Sequence, residues 1–221
     1  MKRQAAEAAV AEVEDGTVLG LGTGSTAAMA VEALGARVRE GLRVVGIPTS
    51  ERTAAQARGL GIPLATLAEH QSIDLTIDGA DEVQTGTLDL IKGLGGALLR
   101  EKLVAASSRR MTVIVDEAKL VGRLGERVRL PVEVVAFGWQ ATAARVRDLG
   151  CDPALRGGAN PYRTDGGNLV LDCQVPPGAD AAELHARIKA VVGVVETGLF
   201  IGMASRVIVG TAQGPLMLER A

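Results

Sequence analysis

Apolar residues fall along this chain in two alternating rhythms. Short continuous apolar runs, TVLGLG at 17–22, LRVVGIP at 42–48, IDLTID at 73–78 and MTVIVD at 111–116, read as strands buried on both faces. Between them the spacing turns helical, predicting helices from Ser25 to Arg39, from Thr49 or Ser50 as cap to Arg58, and from Gly96 to Ser108. At the N-terminus, Ala6, Ala9, Val10 and Val13 mark one face of a further helix. Strand–helix alternation of this kind predicts an α/β fold: a Rossmann-like, mostly parallel sheet with helices on both faces.

The rhythm changes after Arg127. LPVEVVA reads as a strand, WQATAARVRDLG as a helix, DPALRG and NLVLDCQV as strands, ADAAELHARIKAVV as a helix and VVETGLF as a strand. That order, β-α-β-β-α-β, is the split arrangement of a ferredoxin-like α+β unit. RVIVGT at 206–211 then supplies one more apolar strand that can rejoin the first sheet. The expected organisation is an α/β catalytic domain of 1–127 together with 200–221, and a small α+β domain of 128–199 inserted into it.

Composition narrows the class of partner. Aromatic residues are 2% of the chain, so the core must be aliphatic and no stacking platform for single-stranded nucleic acid is available. A net charge of −2 gives no basic footprint for nucleic acid. No stretch is long and apolar enough for a membrane-spanning helix, and the N-terminus lacks the apolar core of a signal peptide. Cys151 and Cys173 are too few for a disulfide framework and read as reduced, packed thiols in a cytoplasmic protein. His70 and His185 stand far from the cysteines and from each other, so no metal site is expected.

Three clusters bear chemistry. Thr23, Gly24, Ser25 and Thr26 lie in GLGTGST, between a strand and a helix, where glycines permit a tight turn and the helix start offers free N–H groups to an anion. A tight, capped turn with no ligand has the same appearance. The dinucleotide fingerprint fails, because Ser25 stands where the third glycine belongs and the next strand ends in Pro48 and Thr49 rather than an acid. The second cluster, Asp78, Gly79, Ala80, Asp81 and Glu82, ends a strand at the edge where ligands gather in open α/β sheets. Its carboxylates can accept hydrogen bonds from sugar hydroxyls, or simply form a solvated acidic turn. The third runs from Lys92 through Gly93, Leu94 and Gly95 to Glu101. Helical side chains lean toward the helix start, so Glu101 is aimed at the loop, where the dipole favours its ionised form. An ionised carboxylate beside a lysine can take a proton next to a carbonyl while the cation stabilises an enediolate; taken alone, the same residues are equally a charged helix face.

Together GLGTGSTA, VGIPTS, TIDGADEV, KGLGGALLREK and IVDEAKLV, with TDGGNLVLDC and GVVETGLFIGMASRVIVG further on, resemble the signature set of the A-type ribose-5-phosphate isomerases over nearly the whole chain. The resemblance implies interconversion of ribose 5-phosphate and ribulose 5-phosphate in the non-oxidative pentose phosphate pathway, through a cis-enediol. It implies Glu101 as the base that moves the proton between C1 and C2, and Lys92 as the substrate-contacting cation. It further implies Asp78 and Asp81 as the active-site aspartates that bind hydroxyls and assist ring opening. The implied substrate-binding set is Thr23–Thr26, Gly79, Ala80, Gly93, Leu94, Gly95 and Lys119. The resemblance implies no metal or organic cofactor, and it implies a homodimer or homotetramer. One position departs from the pattern: Leu94 stands where the family's loop has glycine. A positive φ there would strain leucine by roughly 1–2 kcal/mol; in an ordinary region leucine would merely cover the pocket. The rival readings are a non-catalytic sugar-phosphate sensor, an amino-sugar phosphate deaminase or a CoA transferase. The sensor has no reason to retain all four catalytic residue types, and the deaminase would bring a histidine to the glycine motifs.

Overall fold

The computed structural model describes residues 1–220. Its elements begin with α1 (Lys2–Ala11), β1 (Val18–Leu21), α2 (Ser25–Arg39), β2 (Val45–Pro48), α3 (Glu51–Gly59) and β3 (Leu75–Gly79). They continue with β4 (Glu82–Gln84), β5 (Leu90–Ile91), α4 (Leu98–Ala106), β6 (Met111–Asp116), a single 3-10 turn at Glu117–Lys119, and β7 (Leu120–Val121). The remainder is β8 (Leu130–Val134), α5 (Trp139–Asp148), β9 (Asp152–Leu155), β10 (Leu169–Gln174), α6 (Ala181–Lys189), β11 (Val194–Thr197), β12 (Leu199–Phe200), β13 (Arg206–Thr211) and β14 (Gly214–Glu219).

The apolar runs build the expected sheet. Its six strands are ordered β14-β13-β6-β3-β1-β2; all neighbours are parallel except β14, which returns antiparallel along β13. RVIVGT does rejoin this sheet, as β13 beside β6. Ala5, Ala6, Ala9 and Val10 of α1 pack with Leu34 of α2 and Leu19 and Ile77 of the strands, so the small side chains let helix and sheet approach closely. Ser50 caps α3 by accepting from the Thr53 N–H, and Asp180 caps α6 by accepting from Glu183.

The split unit forms a second sheet, β11-β8-β10-β9, wholly antiparallel, whose apolar face packs against Val146 of α5 and Leu184 and Ile188 of α6. VVETGLF, expected as one strand, is broken at Gly198 into β11 and β12. There the N–H donates to Pro131 O at 2.7 Å and the carbonyl accepts from Lys92 N at 2.9 Å. A Cβ would lie 2.2 Å from Lys92 O, so only glycine passes. β12 then enters a third sheet, β12-β5-β4-β7, built from strands too short for any periodicity to register. β14 also went unread, because its residues are mostly exposed and do not alternate.

Candidate functional site

The site grows from the carboxyl ends of β1 and β3. Gly22 donates to Ile77 O at 3.0 Å, and Asp78 Oδ1 accepts from the N–H groups of Thr23, at 3.0 Å, and Gly79, at 2.7 Å. A Cβ on Gly22 would sit 2.1 Å from that oxygen, so glycine is what brings the 22–26 loop onto β3. Beside Asp78 the Lys92 ammonium lies 2.9 Å from Oδ2 and donates to Glu101 Oε1 at 3.0 Å, with a further hydrogen bond to the Gly79 carbonyl. Asp78, Lys92 and Glu101 are 0%, 2% and 4% exposed. One ammonium therefore serves two buried carboxylates. The Phe200 ring closes the back of the cluster, its centroid 5.5 Å from Lys92 Nζ.

This charge imbalance sets the acidity of the site. Burial pushes Glu101 up to about 8; the attraction of Lys92 opposes it and the charge of Asp78 adds to it. Burial likewise raises Asp78, against Lys92. Burial alone would lower Lys92, but the two carboxylates outweigh it and hold the ammonium charged. The expectation that the helix start keeps Glu101 ionised is thus corrected. Glu101 stands four residues past the cap of α4, its N–H already donated to Ala97 O, and desolvation outweighs the dipole. Its second oxygen, Oε2, has no hydrogen-bond partner among the described residues.

A cleft of about 90 Å³ opens over this cluster, lined by Thr23, Gly24, Ser25, Thr26, Gly79, Ala80, Asp81, Lys92, Gly93, Gly95, Glu101, Lys119 and Lys2. Two residues of the expected set do not line it. Asp78 lies underneath as the counter-ion of Lys92, with no exposed surface to meet a ligand. Leu94 points outward, 43% exposed, and its φ is not positive, so the leucine is neither strained nor a cover for the cleft. Its N–H donates to Asp81 Oδ2 at 2.9 Å. Thr23 also differs from expectation: its hydroxyl is spent on Thr49, Ser50 and Thr53, at 2.7, 2.8 and 3.1 Å, and it stiffens the loop from behind. Glu82 turns away and accepts from the N–H groups of Gly125, Arg127 and Val128.

Lys2 is the residue the sequence reading missed. Its ammonium donates to Ser25 Oγ at 3.1 Å and stands 3.8 Å from Asp116 Oδ2; a lone lysine opening a helix belongs to no motif. With Lys119 and the start of α2, which has no side-chain cap, it gathers positive charge in one part of the cleft. A larger hollow of about 540 Å³ lies against the outer face of α4, at Arg100, Leu103 and Val104, and shares none of these residues. Cys151 and Cys173 are buried free thiols, raised by burial. No group of three or more His, Cys, Asp or Glu able to hold a metal occurs among the described residues.

An open α/β sheet with an uncapped helix start and a buried carboxylate–ammonium couple at its carboxyl edge is an arrangement suited to enzymes that move protons on small anionic molecules. The family model for ribose 5-phosphate isomerase A (phosphoriboisomerase A) matches residues 45–214. The chain is 61% identical to a ribose-5-phosphate isomerase A of Gloeobacter violaceus, over 97% of this chain and 94% of the relative. Among solved structures it superposes on ribose 5-phosphate isomerase A of Methanocaldococcus jannaschii with a TM-score of 0.95 and 42% identity, covering 99% of this chain and 98% of that one. A D-ribose-5-phosphate isomerase in complex with phospho-erythronic acid gives 0.95 and 38%, covering 99% and 97%. The chain belongs to the ribose 5-phosphate isomerase A family.

Proposed function

We propose that this protein interconverts D-ribose 5-phosphate and D-ribulose 5-phosphate by proton transfer between C1 and C2, as a step of the non-oxidative pentose phosphate pathway. The observation that supports this most is the state of Glu101: one oxygen tethered to Lys92, the other unpartnered on a residue that lines the cleft. In the open-chain sugar Glu101 takes the proton from C2, the electron pair moves onto the C1 carbonyl oxygen, and the cis-enediol forms as its enediolate. A proton shifts from the C2 hydroxyl to the C1 oxygen, and Glu101 returns its proton to C1. Lys92 offsets the negative charge that develops on oxygen, so the reading invokes no metal or organic cofactor. A base near 8 suits proton transfer at neutral pH, since neither giving nor taking the proton is steeply uphill.

Asp81 offers its carboxylate to sugar hydroxyls, and Asp78 acts from below by holding Lys92. The phosphate sits against Lys2, Ser25, Thr26 and Lys119. The phosphorylated acid bound by the related isomerase fits this division, with one anionic end for the lysine-lined region and another for Lys92. We take 128–199 as a small domain, its core completed by Ile91, Val121 and Leu124, inserted into a catalytic domain of 1–127 and 200–221, and the assembly as a homodimer or homotetramer in the cytoplasm. A sensor would need only the anion site and leaves the Glu101–Lys92 couple unexplained. The test is formation of ribulose 5-phosphate from ribose 5-phosphate by protein dialysed against a chelator; no conversion by folded protein sinks the reading.

A further inference from the structure

The loop that follows Lys92 is nearly devoid of side chains, and its one internal hydrogen bond, from the Gly96 N–H to the Gly93 carbonyl at 2.9 Å, closes a turn without touching the Leu94 or Gly95 carbonyl. Gly93 has φ 104° and Gly96 φ 79°, and the one side chain between them, Leu94, faces solvent. All three carbonyls from Gly93 to Gly95 are also held from the side of the small sheet. Arg156, directly after β9, donates through Nη1 to the carbonyls of Gly93 and Leu94, each at 3.0 Å. The other edge of the same guanidinium grips Asp172 of β10, Nε to Oδ2 at 2.9 Å and Nη2 to Oδ1. Tyr162, whose ring lies 5.8 Å from the guanidinium carbon, donates its hydroxyl to the next carbonyl, Gly95, at 3.4 Å.

A peptide whose carbonyl is fixed on one side presents its N–H on the other. The carbonyl of Gly93 faces Arg156, and the N–H of the same peptide, on Leu94, donates to Asp81 Oδ2 at 2.9 Å. The carbonyl of Leu94 faces Arg156 too, which fixes the plane of the peptide that carries the Gly95 N–H; Gly95 lines the cleft. We propose that Arg156, oriented by Asp172, is a positioning residue that sets the peptide planes at 93–95 and, through the Leu94 N–H, the aim of the Asp81 carboxylate. The planar fork is what the task requires, because one edge must take a carboxylate while the remaining N–H groups reach two carbonyls; an ammonium is a point charge without that geometry. The small sheet thereby does more than bury apolar surface: it holds the loop that carries groups facing the cleft.

The inference rests on the isomerase reading and is tested with ribose 5-phosphate as the probe, by kcat, KM and circular-dichroism melting of Arg156→Met, Arg156→Lys, Asp172→Asn and the Arg156→Met/Asp172→Asn pair. A misaimed group at a reacting centre can cost about 100-fold, and Arg156→Met is expected to lose kcat/KM on that order, mostly in kcat, while it remains folded at the assay temperature. Arg156→Lys restores about a tenth of the activity or less, and the pair is no worse than Arg156→Met alone, because the two residues act as one unit. Wild-type turnover with Arg156→Met within about threefold of it, or losses that match the unfolded fraction, overturns the clamp and leaves the isomerase standing. Should Arg156→Met not fold, Arg156→Lys and Asp172→Asn decide by the same criteria. A wild-type protein that does not isomerise the sugar overturns the functional reading and the clamp with it.

Discussion

Lys92 holds Glu101 by a single carboxylate oxygen, at 3.0 Å, and the ammonium that does so is shared with Asp78 at 2.9 Å. Removing that ammonium leaves two carboxylates facing each other in a site with almost no solvent access. Breaking a buried pair by deleting one partner typically costs about 3–5 kcal/mol. Lys92→Met is therefore expected to lose stability on that scale in denaturant titrations at neutral pH, and to lose activity. Adding Asp78→Asn should recover part of the stability and none of the activity. A Lys92→Met protein as stable as wild type would contradict the buried-charge account.

The raised pKa of Glu101 has two consequences of opposite sign. As a base it must be ionised in the free enzyme, so kcat/KM should climb with pH and level off through about 8. For stability the direction reverses. The unfolded chain ionises this glutamate near 4.5 and the folded chain near 8, so between those values the folded state holds a proton that the unfolded state has lost. Stability from this group is complete below about 4.5 and drains away as pH rises toward 8. Glu101→Gln removes the effect, so unfolding free energies measured along a pH series should favour the variant increasingly toward pH 8. A difference that shrinks with rising pH would show that Glu101 is not desolvated.

Lys2 and Lys119 meet the cleft from different elements, α1 and the 3-10 turn after β6. As contacts to phosphate, they bind ground state and transition state alike. Lys2→Met and Lys119→Met should then raise KM by about tenfold each with kcat changed little. A fall in kcat at constant KM would place either lysine at the reacting carbons instead.

Leu94 carries the one side chain within the glycine loop 93–96, and it does not occupy the left-handed region. Leu94→Gly should leave kcat and KM within about twofold. It should cost stability by about 0.4–1 kcal/mol, because it frees the unfolded chain. A large gain in activity would mean that the leucine obstructs the cleft after all.

How much of this was legible in advance follows from how far each interaction reaches along the chain. Ser25–Arg39 and Met111–Asp116 were read to the residue, since long apolar periodicity is a local property. So were the chemical types at Glu101 and Lys92. Asp78 and Asp81 looked equivalent, three residues apart; the pleat and the approach of Gly22 bury the first and leave the second in the cleft. Glu133 sits in an apolar strand as a buried acid, and only the fold shows that Thr164 and Asn168 satisfy one of its oxygens. Lys2 and Arg156 reach the site and its loop through hydrogen bonds spanning 23 and more than 60 residues, and no spacing rule encodes such contacts.

The central claim is that Glu101 moves the proton, and solvent isotope exchange tests it most directly. Ribose 5-phosphate in D2O with excess chelator is followed by proton NMR, with wild type and with Glu101→Gln. The account predicts that wild type forms ribulose 5-phosphate and brings solvent deuterium to the exchanging carbon. Glu101→Gln, folded and still binding the sugar phosphate, should lose about 10²–10⁴-fold in both conversion and exchange. Exchange and turnover by Glu101→Gln at the wild-type rate would remove Glu101 from the mechanism.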